Sequence, residues 1–162
     1  MLVPKRNSNR LAGYDYSTPG YYFVTICTAG NRNLFGRIGQ QNTVELSMLG
    51  RIADEIWQRN NQVYSNVSND LYRIMPNHLH ALLLLEHHGA DAERPPKLGT
   101  VINSFKGAVT KEARLTTGNP GLAIWQNGFH EKIVNSEVSL NRIRQYILYN
   151  PHLDELRRTG GA

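Results

Sequence analysis

Residues 70 to 86 read DLYRIMPNHLHALLLLE, and this stretch decides the fold. Asp70 to Met75 has the make-up of a strand. Pro76 and Asn77 interrupt it, because proline has no N–H to give an internal ladder, and His78 to Glu86 resumes as a strongly apolar strand. The two make a hairpin, or a strand, bend and strand. Successive side chains of a strand leave opposite faces, so His78 and His80 share one face while Leu79 takes the other. The pair stands at the start of its strand, beside the break, where a ligand can enter. Two imidazoles so spaced can reach one metal ion, and the same spacing also suits a hydrogen-bonded pair at a sheet edge.

Outward from this hairpin the periodicity alternates between strand and helix. Tyr21 to Thr28 (YYFVTICT) is aromatic and β-branched on both faces, as in a central strand covered on both sides. Leu34 and Phe35 start a short second segment. From Val44 to Asn60 the apolar residues Leu46, Leu49, Ile52, Ala53, Ile56 and Trp57 recur at helical spacing. A second helix is expected from Lys97 to about Leu115, with Val101, Ile102, Phe105, Ala108 and Val109 inward. A strand follows at Phe129 to Val134. A third helix runs from Ser136, an N-cap residue type, to about Asn150, where Pro151 stops it. Its buried stripe would be Leu140, Ile143 and Ile147.

The order is strand, helix, two strands, helix, strand, helix. Its first six elements match the ferredoxin-like (RRM-like) arrangement, so the fold class is α+β: an antiparallel sheet with helices packed on one face, plus a C-terminal helix. Residues 1–162 read as one domain, with an N-terminal arm at 1–20, a flexible loop at 87–96 and a C-terminal tail at 151–162. Within the loop His87 and His88 are adjacent, with nothing to orient them, and are read as solvated.

Eighteen Lys and Arg against thirteen Asp and Glu leave a formal charge of +5. Basic residues recur at Lys5, Arg6 and Arg10, at Lys106, Lys111 and Arg114, and late in the chain at Arg142, Arg144, Arg157 and Arg158, which suits a polyanionic partner. Cys27 is the single cysteine, so an intrachain disulfide framework and a cysteine-rich zinc site are both excluded. Any metal must use His, carboxylate, amide or hydroxyl ligands. No stretch reaches the roughly 20 apolar residues that span a bilayer, and no signal-length apolar run follows the N-terminus. The expected setting is therefore cytoplasmic, without a membrane.

Tyr146 and Asn150 are four apart, hence one turn from each other on one helix face. Tyr146 lies beside the apolar stripe, so its ring can pack while its hydroxyl reaches a cleft. Tyr149 is the rival. A phenol, with a pKa of about 10, attacks a phosphodiester poorly unless its anion is stabilised or the phosphate polarised. A divalent cation on His78 and His80 would polarise the phosphate, and Asn150 can complete that metal site from the helix that carries Tyr146.

The segment IMPNHLHALLLL resembles the histidine-hydrophobic-histidine motif of the single-strand transposases with one catalytic tyrosine (the IS200-like HUH enzymes). In particular it resembles the branch associated with repetitive extragenic palindromes (REP). RLAGYDYSTPGYYFVTICTAGNRNLFG, SFKGAVTKEARL, IWQNGFHEKIV and SLNRIRQYILYNP resemble further blocks of that branch, so the likeness runs from Arg10 to Pro151. It implies an enzyme that cuts single-stranded DNA near a hairpin and becomes joined to the 5′ phosphate. It also implies His78, His80 and Asn150 as ligands of Mg2+ or Mn2+, Tyr146 as nucleophile, and a possible homodimer. Two positions depart from the pattern: Asn135 stands near where many relatives have arginine, and the third ligand is an amide. The other reading is a non-catalytic single-stranded nucleic-acid-binding protein on the same sheet. In it Tyr14, Tyr16 and Tyr21 stack on bases and the arm residues Lys5, Arg6 and Arg10 hold the backbone.

Overall fold

The computed structural model describes residues 11–87 and 95–158, without the side chains of Asn61 and of 150–158. Four strands form the main sheet: β1 (Gly20–Cys27), β4 (Val67–Met75), β5 (His78–Leu85) and β6 (His130–Val134). Their order is β4-β5-β1-β6 and every neighbouring pair is antiparallel. Counted along the main sheet alone, this is the ferredoxin-like order expected from the succession of elements.

Alternation within the strands creates two different faces. Tyr22, Val24 and Ile26 of β1 and Leu79, Ala81, Leu83 and Leu85 of β5 are fully buried on one side. There they pack beneath α1 (Met48–Gln58) and α3 (Leu98–Thr117). Trp57 of α1 meets Phe105 of α3 edge to face at 4.9 Å between centroids, a geometry that adds to the area both rings bury. The opposite face carries Tyr21, Phe23 and Thr25 of β1, paired with Leu84, Leu82 and His80 of β5.

The helical stripe expected from Val44 is broken at its start. Val44–Leu46 is a strand, β3, paired with β2 (Gly36–Ile38). Ser47 is extended and caps α1, its Oγ accepting from Gly50 N at 3.1 Å. A Cβ on Gly50 would lie 2.1 Å from the Phe35 carbonyl oxygen, so glycine there lets α1 approach the β2 strap closely. Beyond α1, a short α2 (Asn60–Val63) leads toward β4.

The last helix, α4 (Glu137–Arg158), crosses the second face. Ser136 caps it, its Oγ accepting from Ser139 N. Leu140, Ile143 and Ile147 bury themselves on Leu82, flanked by Tyr21, Phe23, Leu71 and Val134. It lies mainly over β4 and β5, with Tyr21 and Phe23 of β1 and Val134 of β6 packed at its flank, while His130 and Lys132 of the edge strand β6 stay exposed. The expected end at Asn150 is corrected: the helix continues through Pro151 to Arg158. No helix among the described residues is long and apolar enough to cross a membrane.

Candidate active site on the second face of the sheet

His78 and His80 emerge from the open end of β5 with their Nε2 atoms 3.0 Å apart. Leu79 between them is buried in the opposite core, as the alternation requires. Each ring is oriented through its other nitrogen. His78 Nδ1 stands 2.7 Å from Asn77 Oδ1, an acceptor, so Nδ1 carries the proton and the Nε2 lone pair is turned toward His80. His80 Nδ1 lies 2.9 Å from the hydroxyl of Thr25, its partner across β1. Phe23 stacks on the His80 ring at 5.4 Å.

His80 is 6% exposed. Burial, and then the neighbouring His78, hold its pKa down from 6.5 to about 3, so its ring is neutral at any ordinary pH. Neutral imidazole is the form that ligates metal. Two Nε2 atoms facing each other at this distance share either a proton or a cation. Two ligands at right angles about one ion, each about 2.1 Å away, stand about 3.0 Å apart, so the donor set fits a small divalent ion. Among the described residues no group of three or more His, Cys, Asp or Glu could hold a metal.

Tyr146 meets the pair from α4. Its ring centroid is 5.2 Å from that of His80 and 6.2 Å from that of Phe23, both edge to face. Tyr149 is 62% exposed and lies outside this cluster. Helical rotation separates the two, since three residues turn the chain by about 300°. The backbone of Asn150 lies in α4, and its side chain is outside the described ones.

Two arginines hold α4 against the sheet. Arg144 Nε donates to Asp70 Oδ1 at 2.9 Å and its Nη2 donates to Oδ2 of the same carboxylate, while the guanidinium lies over the Tyr21 ring. Asp70 sits at a bulge where β4 slips against β5, which turns its side chain out of the regular alternation. Arg73, cross-strand neighbour of His80, donates from Nε to the Ile147 carbonyl at 2.9 Å and from Nη2 to that of Leu148 at 3.2 Å.

The other residues singled out from sequence are scattered. Lys106 Nζ donates to the carbonyls of Gln126 and Gly128, and Arg114 Nε donates to that of Leu122, so both brace the loop before β6. With Lys111 and Trp125 they line a cavity of about 780 Å³ beside α3, away from the histidines. Tyr14 and Tyr16 pack edge to face on each other and against the Tyr22 side of the core. They also line a cavity of about 580 Å³ along the edge strand with Lys132 and Asn135. Arg142 is exposed on α4 and His87 is exposed. Lys5, Arg6, Arg10 and His88 lie outside the described residues.

Thr25, Phe23 and Arg73 are not legible in the sequence as site residues, because only strand register brings them to His80. Asn77 was adjacent to His78 and could have been read as its acceptor. His130 and Lys132 pair with Thr25 and Phe23, share the histidine face and are exposed at its edge, a placement that only the register of β6 gives.

A sheet of this order, with a histidine pair on an inner strand and a tyrosine helix laid over the same face, has the fold of the REP-associated tyrosine transposases. A solved structure described as the REP-associated tyrosine transposase bound to a REP hairpin superposes with a TM-score of 0.64 at 15% identity, covering 92% of this chain and 74% of that one. The chain belongs to the family of an uncharacterized protein of Haemophilus influenzae, which is 32% identical over 168 residues spanning 94% of this chain and 92% of the relative. No family model matches it.

Proposed function

We propose that this protein is a metal-dependent enzyme that nicks and rejoins single-stranded DNA beside a hairpin through a phosphotyrosine link, with Tyr146 as nucleophile and residues 1–162 acting as one domain. The observation that carries the reading is the Tyr146 ring 5.2 Å from the ring of the buried His80. The solved transposase of the same fold was captured on a REP hairpin, which points to the same class of substrate.

His78 and His80 would hold the ion, Mg2+ or Mn2+, through Nε2, with Asn150 as the third ligand. Bound there, a divalent cation neutralises charge on the phosphate oxygens and orients the scissile bond. Asn77 would accept from His78 Nδ1 and the Thr25 hydroxyl from His80 Nδ1, which leaves both Nε2 lone pairs for the ion. Tyr146 Oη bonds to phosphorus, the bond from phosphorus to the 3′ oxygen breaks, and the proton lost by the phenol is balanced by the one gained by the 3′ hydroxyl. One phosphoester replaces another, so the 3′ hydroxyl can reverse the step without a nucleotide cofactor.

The strand would lie along the β6 edge of the face, where His130 and Lys132 are exposed and offer donors to phosphate, with Phe23 beside them offering a ring. Lys106, Lys111 and Arg114 on the far side, the arm residues Lys5, Arg6 and Arg10, and Arg142 would serve the hairpin backbone, with Tyr14 and Tyr16 near the strand's edge. Histidines and tyrosine meet within one chain, so the reading needs no second copy. Acting on bacterial DNA, the enzyme would work in the cytoplasm.

The test is covalent trapping. Labelled hairpin DNA with a single-stranded flank, incubated with manganese and then denatured, should leave an adduct on the wild type and on Tyr149→Phe but none on Tyr146→Phe. An adduct that persists in Tyr146→Phe sinks the assignment, and hairpin binding without any adduct in the wild type would favour the non-catalytic reading.

A further inference from the structure

Helix α4 should end before Pro151, and it does not. Proline has no N–H, so in a helix bonded from each N–H to the carbonyl four residues back, the carbonyl of Ile147 is left without its donor. Ile147 is buried against Leu82, where an unpaired carbonyl is costly because water reaches it poorly. Arg73 supplies the missing donor. Its Nε gives to Ile147 O at 2.9 Å and its Nη2 to Leu148 O at 3.2 Å, so the planar fork spans two successive carbonyls. A cation here also suits the negative end of the helical turn that the proline interrupts.

Arg73 faces His80 across β4 and β5, and Ile147 directly follows Tyr146. The row of the sheet that presents the histidine therefore also grips α4 one residue from the tyrosine.

We infer that Arg73 is a positioning residue for Tyr146: it takes over the carbonyl that Pro151 deprives of a partner and thereby fixes the tyrosine helix over the histidine pair. The inference rests on the reading of Tyr146 as nucleophile for its consequence, although the clamp can be tested without it. Arg73→Leu keeps the aliphatic bulk and loses the donors. Adduct formation at saturating single-stranded DNA should slow about tenfold, as for loss of one charge-assisted hydrogen bond, with DNA affinity unchanged within about twofold. Amide exchange across 147–158 should quicken by about the same factor.

Pro151→Ala separates this role from simple packing, because alanine at that position restores an N–H to the Ile147 carbonyl. In that background Arg73→Leu should have almost no further effect on either rate. Equal losses with and without the proline would overturn the inference, as would unaltered exchange across 147–158 in Arg73→Leu. Should Arg73→Leu not fold, Arg73→Lys, which keeps the charge and loses the fork, carries the same comparison. A wild type that forms no adduct would remove the nucleophile reading, while the exchange rates still decide the clamp.

Discussion

His80 is the residue at which burial and chemistry meet most directly. Its ring is held neutral because charging it would place a cation in a nearly dry site next to a second imidazole. In the unfolded chain the same ring takes a proton at about 6.5, but in the folded chain only near 3. Between those values the unfolded state binds more protons, so stability rises with pH through that window and is lost as pH falls. Each unit crossed is worth at most about 1.4 kcal/mol. Urea unfolding of the metal-free protein at pH 7 and pH 5 should therefore show a loss on acidification, and His80→Gln, which cannot titrate, should lose less. Identical losses in the two proteins would mean that His80 is accessible to protons in the folded state.

At the scale of elements, α4 is an amphipathic helix whose apolar stripe sets its height above the sheet but not its rotation or slide. Leu140, Ile143 and Ile147 would pack on Leu82 over a range of small displacements. The Asp70–Arg144 pair and the Arg73 clamp fix the remaining freedom. The side chains of the pair are 17% and 34% exposed, so it lies between a surface ion pair and a buried one. Asp70→Ala should cost about 1–3 kcal/mol, a range set by those two limits. Adding Arg144→Ala should cost less than the sum of the two single changes. A double-mutant cycle on denaturant midpoints measures this, and additive losses would show that the pair holds nothing.

Across the whole molecule, the two faces of one sheet have separate tasks. Helices α1 and α3 seal one with large apolar side chains, and this core carries the fold. The other is crossed by α4, with His80 buried under it, while His130 and Lys132 stay exposed at the β6 edge of the same face. Replacing Lys132 by alanine should weaken single-strand binding and flatten the dependence of log affinity on log salt by about 0.7, the share of one phosphate contact on a single strand. An unaltered salt slope would place the strand elsewhere on the protein.

Local pattern was enough for much of this. Alternation placed the histidines on one face of a strand and Leu79 in the core, helical spacing set Tyr146 and Tyr149 on different sides of α4, and Ser136 announced its start. These features depend on neighbours within a few residues, where backbone geometry leaves little choice. What spans many residues was not legible. The register of β1 against β5 brings Thr25 to His80, that of β6 brings His130 and Lys132 to the same face, and a bulge in β4 aims Asp70 at Arg144. The strand β3 hid inside a helical stripe because Val44 and Leu46 fit either period, and only the pairing with β2 chose between them. The fate of α4 at Pro151 shows the same division. The sequence determined by itself that a carbonyl would lose its donor there. Which group replaces that donor was decided by tertiary packing, which delivers an arginine 74 positions away from the carbonyl.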